Sequence, residues 1–569
     1  MVRRSSIESG RTGRPEATRR PGAALSEGCY RGGLSGPRFP AILVLLAMAA
    51  FVALALPFAR GLGIEVDEAI IANGIYPGGA PWYSWHLGQG EIPVMILSYL
   101  GALKTWLYNG LFLVWRPSEL SLRFPMLLVG AATIWLSYRL LKRISERAAW
   151  IGAALLATDP SFVLTQAVDL GFVVLQHFFK LAALVLLVRF HSGRRAWNLA
   201  GAFFLLGLAV WDKAVFVWVL GGLAVAALVA YPGEILRHAG ARNLAVAAAA
   251  FCLGMLPFLI YNIDRPLETF DRNASTSLAG LDVKTYLLRE TVRGGVLFGF
   301  LVASDTPPKP GQPSNIAQRA STAVARFAGT RRSNLIEPAL VLSLGALPLL
   351  WRNRARRPML FALVFLAVTW TQMAITEKAG GAAHHIVLLW PFHLLLIAAA
   401  LGEITGRLAQ RAGLAVATGV TVALCGANLL VMNQYYADFV RNGSAIRWTD
   451  AINPLARDLA GRPFERIFVM DWGIVETVNL LSEGRIPVQF GMDAITAGDS
   501  GLVVQMVSGP DYGFVAHSPE YDILPNIRPE LEAIARKSGY RRETLTTIRD
   551  RNGRATFEVF RYRPPQNFR

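Results

Sequence analysis

The feature that most constrains this chain is a series of long apolar runs, each of the roughly 17–25 residues a helix needs to cross a bilayer's hydrocarbon core. Eleven occur, at about 41–58, 120–138, 148–165, 170–188, 197–212, 214–230, 244–262, 336–350, 359–376, 384–402 and 414–431. A polar break at Trp211-Asp212-Lys213 divides the two shortest, so that stretch reads as two spans joined by a tight turn. With 53% hydrophobic residues and only 17% charged, against roughly 25% charged in soluble domains, the chain reads as a polytopic α-helical membrane protein.

The net charge of +18 would suit a nucleic-acid binder if it formed a patch, so its distribution decides. With the N-terminus inside, the cytoplasmic pieces are 1–40, 139–147, 189–195, 231–243, 351–357 and 403–411. Their net charges are +5, +3, +3, +1, +4 and +1, which accounts for +17 of the +18. This is the positive-inside pattern, and an odd number of spans then puts the C-terminus outside. Topology explains the basicity, and no nucleic-acid partner is expected.

Residues 1–40, with eight arginines among Gly, Ser and Pro, read as a disordered cytoplasmic tail without a cleavable signal peptide. Residues 41–431 read as the membrane domain, with outer loops at 59–119 and 263–335. Residues 432–569 read as a small outer α/β domain: strands at Arg466–Asp471 and Arg485–Phe490, a helix at Ile474–Ser482, and a hairpin turning at Asn552-Gly553. Within the first loop, Ile92–Val114 is apolar but interrupted by Lys104, Tyr108 and Asn109, which predicts a helix lying along the membrane surface. Cys29, Cys252 and Cys425 fall in different environments and offer no disulfide framework. Sequons occur at Asn273 and Asn442, in segments expected outside, and Asp471-Trp472-Gly473 at a strand end is a potential contact point equally explained as a turn.

Chemistry is expected in the outer loops. Just beyond the first span stand Glu65, Asp67 and Glu68, three carboxylates beside a medium that disfavours charge. A carboxylate partly desolvated there has a raised pKa and serves as a general base toward a hydroxyl nucleophile; simple solvation of an outer loop is the alternative. Asp159 and Asp169 flank the break between the third and fourth spans on the same side. Capping and turn roles would also account for them. Cations that would meet an anionic headgroup on that side are Lys213, Lys378, His384 and His385, each also readable as snorkelling or satisfied interfacial polarity.

Several of these pieces resemble the GT-C membrane glycosyltransferases, in the branch that holds the protein O-mannosyltransferases, the aminoarabinose transferases and many bacterial "family 39" proteins. They are Asp67-Glu68-Ala69 after the first span, Ser121-Leu-Arg123-Phe-Pro125 before the second, Asp159-Pro160-Ser161-Phe162 with Asp169, Gly207 to Lys213, and His384-His385 leading to Trp390-Pro391-Phe392. The resemblance spans about 40–430. Ile70 and Ile71 stand where many relatives have a Tyr, and Gln166-Ala-Val precedes Asp169 where many have an Arg.

What the resemblance implies is inverting transfer of a sugar, hexosyl or mannosyl in type, from a polyprenyl phosphate to a hydroxyl on a lipid, polysaccharide or protein at the outer face of a bacterial inner membrane. It makes Asp67 the base, with Glu68 shaping the site and Asp169 orienting acceptor or sugar; Glu65 and Asp159 support them. Lys213, Lys378, His384 and His385 would meet the donor phosphate. No cofactor is expected. A divalent-cation version, with Glu65, Asp67, Asp159 and Asp169 as oxygen ligands, is the alternative within the fold. From other classes the rivals are a non-catalytic assembly protein and a secondary transporter, the latter disfavoured because the spans read as almost free of interior charge.

Overall fold

A computed structural model describes residues 39–88, 90–351 and 355–564; the expected disordered tail, apart from its last two residues, and Cys29 lie outside the described residues. The chain runs α1 (Phe39–Gly61), α2 (Val66–Asn73), strands β1 (Tyr83–Leu87), β2 (Gly90–Leu97) and β3 (Leu100–Gly101), then α3 (Leu103–Phe112), α4 (Glu119–Leu141), α5 (Glu146–Thr158), α6 (Pro160–Ala167) and α7 (Val173–Gly193). Next come α8 (Ala196–Asp212), α9 (Phe216–Ala230), α10 (Pro232–His238), α11 (Ala241–Gly254) and α12 (Leu256–Asp264). Three helices, α13 (Glu268–Asn273), α14 (Leu281–Arg293) and α15 (Ile316–Ala328), precede α16 (Ile336–Gly345), α17 (Leu347–Leu350), α18 (Arg356–Ile375), α19 (Ala383–Ile386), α20 (Phe392–Gly406) and α21 (Gln410–Asn442).

Each of the eleven apolar runs falls on helix. Among the described residues six helical stretches are long and apolar enough to cross a membrane, three more are bent pairs, and Ala196–Asp212 and Ile336–Gly345 are shorter apolar helices. The bends have a chemical cause: α5/α6 turns by 57° at Pro160, α9/α10 by 100° at Pro232, and α11/α12 breaks by 70° beside Pro257, because proline lacks the N–H that would continue the helical ladder. At Pro160 the break is also capped, Asp159 Oδ1 accepting from Phe162 N at 2.8 Å. A capping box between Ser118 and Ser121 starts α4.

Two expectations need correction. Ile92–Val114 is not one surface helix: its first half is β2 and β3, in an antiparallel sheet with β1, and only Leu103–Phe112 is helical. The apolar run is buried without alternation, Val94 and Met95 both packing into the main core, as in a strand covered on both faces. The spans are also less free of interior polarity than they read. His177, Lys180 and His393 are buried within the bundle, and Lys180 Nζ donates to the carbonyls of Leu388 and Trp390 at 2.6 and 2.7 Å. Those carbonyls lie where the helical ladder fails before Pro391, so a buried cation satisfies a broken chain segment.

Helix α21 continues eleven residues past the expected end at 431, and the following segment carries a sheet of strand order β5-β4-β6-β8-β7. These strands are β4 (Arg466–Val469), β5 (Val488–Phe490), β6 (Tyr512–His517), β7 (Arg541–Arg549) and β8 (Ala555–Arg563). β4 pairs parallel with β5 and β6, while β8 pairs antiparallel with β6 and β7. Helices α22 (Ile452–Ala460), α23 (Val475–Leu481), α24 (Met492–Thr496), α25 (Ser500–Ser508) and α26 (Ile527–Lys537) cover it. This unit rests on the first loop: Gly63 N donates to Trp448 O at 2.9 Å, and Asn479 Nδ2 donates to Asn73 Oδ1 at 2.7 Å. A side chain at Gly63 would collide with the Thr449 carbonyl.

Candidate active site

The acidic loop after α1 folds into the short helix α2, and its three carboxylates take different roles. Glu65 is the N-cap, accepting from Asp67 N at 2.7 Å. Burial, then the neighbouring Asp67, pushes its pKa up to about 8. Glu68 faces inward and is held by the Arg123 guanidinium, with Nε donating to Oε1 at 2.7 Å and a second N–H to Oε2. Arg123 is 1% exposed; it also donates to the carbonyls of Ala59, Leu62 and Gly63 and lies over the Trp448 ring. All its donors are spent on knitting α1, α2 and α4 together.

Asp67 differs. Its side chain is partly exposed, and among the described residues its carboxylate has no hydrogen-bond or ion-pair partner. Burial raises its pKa, opposed by Lys213 and then Arg447. It is an available base next to a cation.

Asp169 sits at the start of α7 in a strained turn, with Asp169, Gly171 and Phe172 all at positive φ (43°, 62° and 62°). Its Oδ1 accepts from Val174 N at 3.1 Å, where a helix N-terminus favours negative charge, and its Oδ2 pairs with Lys104 Nζ. Lys213 stands opposite, donating to Gly171 O at 2.7 Å. Phe172 is shared by the two lysines, its ring centroid 5.2 Å from Lys104 Nζ and 5.7 Å from Lys213 Nζ. Lys213 is 3% exposed, and burial, partly offset by Asp67, lowers its pKa to about 8.

The three-stranded sheet sets this geometry. Leu100 bridges to Lys213, Ala214 N donates to Tyr99 O at 2.9 Å, and Trp211 Nε1 donates to Val94 O at 3.1 Å. Gly101 has no room for a Cβ, which would lie 2.0 Å from Trp211 O. The His384 ring covers Gly171, where a Cβ would come within 2.3 Å of the imidazole, and His385 meets His384 edge-on with centroids 4.3 Å apart.

Of the residues singled out in the sequence, Asp67, Glu68, Asp169, Lys213, His384 and His385 come together at one end of the bundle. Two do not join them. Lys378 is exposed and donates to Arg272 O at 2.9 Å, whereas Lys284 is buried against the carbonyls of Ala374 and Thr376. Asp159 is wholly buried; its Oδ1 caps α6 and accepts from Trp390 Nε1 at 2.8 Å, a role in fixing the break before Pro391. The oxygen set Glu65, Asp67, Asp159 and Asp169 therefore does not fit a metal: Asp159 and Asp169 are engaged separately, and among the described residues no three His, Cys, Asp or Glu side chains are gathered as ligands.

Lys104, Arg123 and Arg447 are the charged groups the sequence reading left without a role. Their signal was available for two of them: an isolated cation in an apolar stretch needs an anionic partner, and Lys104 and Arg123 each have one. Asp471 is not a contact point. It accepts from the backbone N–H groups of Ile523 and Leu524 and pairs with His517. The sequon at Asn442 is buried, its amide bound to Ala303 O at 2.8 Å.

Residues 102–265, which include Lys104, Arg123, Asp169 and Lys213, match the family described as dolichyl-phosphate-mannose-protein mannosyltransferase. The whole chain superposes on ArnT from Cupriavidus metallidurans bound to undecaprenyl phosphate, with TM-score 0.55 and 14% identity over 92% of this chain and 98% of that one. The chain has the GT-C glycosyltransferase fold. The apo form of the same ArnT gives TM-score 0.54 at 14% identity, covering 91% and 98%. No curated protein matches the sequence. The GT-C resemblance read from the motifs is thus borne out, and the acidic loop lies outside the matched segment, so Asp67 rests on geometry.

Proposed function

We propose that this GT-C protein is an inverting glycosyltransferase that moves a sugar from a polyprenyl phosphate to a hydroxyl acceptor at the outer face of the membrane. The observation that carries the reading is the contrast among the carboxylates: Glu65 is spent on capping, Glu68 on Arg123 and Asp169 on Lys104, while Asp67 has no such partner among the described residues and lies within the electrostatic reach of Lys213. In the proposed step Asp67 takes the proton of the acceptor hydroxyl as its oxygen bonds to the anomeric carbon. The bond from that carbon to the phosphate oxygen breaks on the opposite face, and the polyprenyl phosphate leaves with the electron pair. Lys213 offsets the charge that develops there, which is worth most in a site poor in water. His384 and His385 form the wall beside Gly171. Undecaprenyl phosphate in the ArnT structure supports a lipid-phosphate donor.

The test is Asp67→Asn, which keeps shape and removes the base. With purified protein, a polyprenyl-phosphate sugar panel and membrane-extract acceptors, product read by mass spectrometry should fall roughly 10²–10⁴-fold while insertion and melting temperature hold. Turnover near that of the unaltered protein would remove Asp67 from the mechanism.

A further inference from the structure

At the end of the bundle away from Asp67 lies an unassigned cavity of about 750 Å³, within the roughly 300–1,000 Å³ range of ligand pockets. Helix α4 relates the two sites: Arg123, on Glu68, stands near its start, and Leu141, on the cavity, at its end. Eighteen residues at 1.5 Å each put them about 27 Å apart. The cavity wall is apolar and is drawn from α4, α7, α8, α9, α11, α18 and α20, with Leu187, Phe203, Ala247, Phe361 and Leu395 among its residues. A slot for one linear chain would not need walls from so many helices. An apolar pocket of this size is not a site for water, which needs polar partners.

The rim has the opposite character. Arg143, His191, His238, Asn243 and the ion pair Arg357–Glu234 ring its outer end. Glu234 is the single acid among the described residues there and is engaged by Arg357. The Arg143 guanidinium is exposed and has no partner among the described residues. His191 and His238 share a hydrogen bond of 3.3 Å. The short helix α10, bent 100° from α9, carries Glu234 and His238 across this end like a segment lying in an interface.

We infer that this cavity is a binding site for an anionic glycerophospholipid of the bilayer, its acyl chains between α7, α9, α11 and α20 and its phosphate at Arg143 and the His191–His238 pair. The apolar depth takes the chains, and the exposed, unpaired Arg143 at the rim selects the headgroup.

The experiment is native mass spectrometry of the full-length protein from detergent, supplied with phosphatidylglycerol, phosphatidylcholine or undecaprenyl phosphate. Phosphatidylglycerol should be retained about tenfold more tightly than phosphatidylcholine. Arg143→Gln, at an exposed position where folding is not at issue, should abolish most of that preference, and Ala247→Trp should lower retention of both phospholipids by filling the cavity. Equal retention of the two phospholipids, an unchanged preference in Arg143→Gln, or displacement of phosphatidylglycerol by undecaprenyl phosphate would overturn the assignment. Lipid retention is read without any transfer reaction, so the outcome stands apart from the fate of the glycosyltransferase proposal.

Discussion

In the proposed step Asp67 and Lys213 form the working pair, and their titrations oppose one another. Burial lifts the Asp67 carboxyl above its ordinary range, and Lys213 pulls it back. A base must be unprotonated to act, so activity is lost as pH falls through the raised Asp67 value. It is lost again as pH rises through about 8, where Lys213 gives up its charge. The expected profile of kcat/KM is a bell. In Lys213→Met the acid limb should move to higher pH, because the cation that favoured the carboxylate is gone, and the limb near 8 should disappear. An acid limb that stays in place would separate Lys213 from Asp67. Glu65 can be told apart from both: with a folded pKa of about 8 against 4.5, it binds a proton more tightly folded than unfolded. Its contribution to stability therefore declines between pH 4.5 and 8, and Glu65→Gln should flatten that part of the melting-temperature curve.

The active end is assembled from turns and strand ends more than from long helices. Helix α2 is anchored by Arg123 from α4, and the α6–α7 turn by Lys104 from α3 and Lys213 after α8. Arg123→Leu should therefore cost roughly 3–5 kcal/mol, the usual consequence of leaving a buried charge unpaired, measured as a lowered unfolding midpoint in detergent. Arg123→Lys should recover little, since an ammonium lacks the fork that reaches Glu68 and three carbonyls at once. At this scale much was legible in the sequence. The strand at Arg466, the helix after Ile474 and the hairpin at Asn552-Gly553 stand where alternation and turn chemistry put them. Ile92–Val114 was misread because a short apolar run carries no clear period, and pairing with β1 decides it.

Across the whole molecule, the carboxylate site and the basic loops occupy opposite ends of the helical bundle, and the sheet unit after α21 covers the first loop through Gly63, Asn73 and Asn479. The positive-inside pattern predicts that the basic end is cytoplasmic. Cysteine placed at Leu87, exposed on β1, should react with an impermeant maleimide added to intact cells, while Arg194→Cys should react only after the membrane is opened. The reverse pattern would turn the site inward and defeat transfer at the outer face.

What the sequence determined alone was whatever is local or additive along the chain: the apolar runs, the asymmetry of their flanking charges, and the crowding of acids after the first span; the breaks at Pro160 and Pro257 divide runs that read as single spans. Tertiary structure decided which of those acids is free. Glu68 meets Arg123 across 55 residues and Asp169 meets Lys104 across 65, whereas Asp67 meets no such partner among the described residues. A carboxylate's chemistry depends on what surrounds it in space, and neighbours that distant along a chain are brought together only by packing.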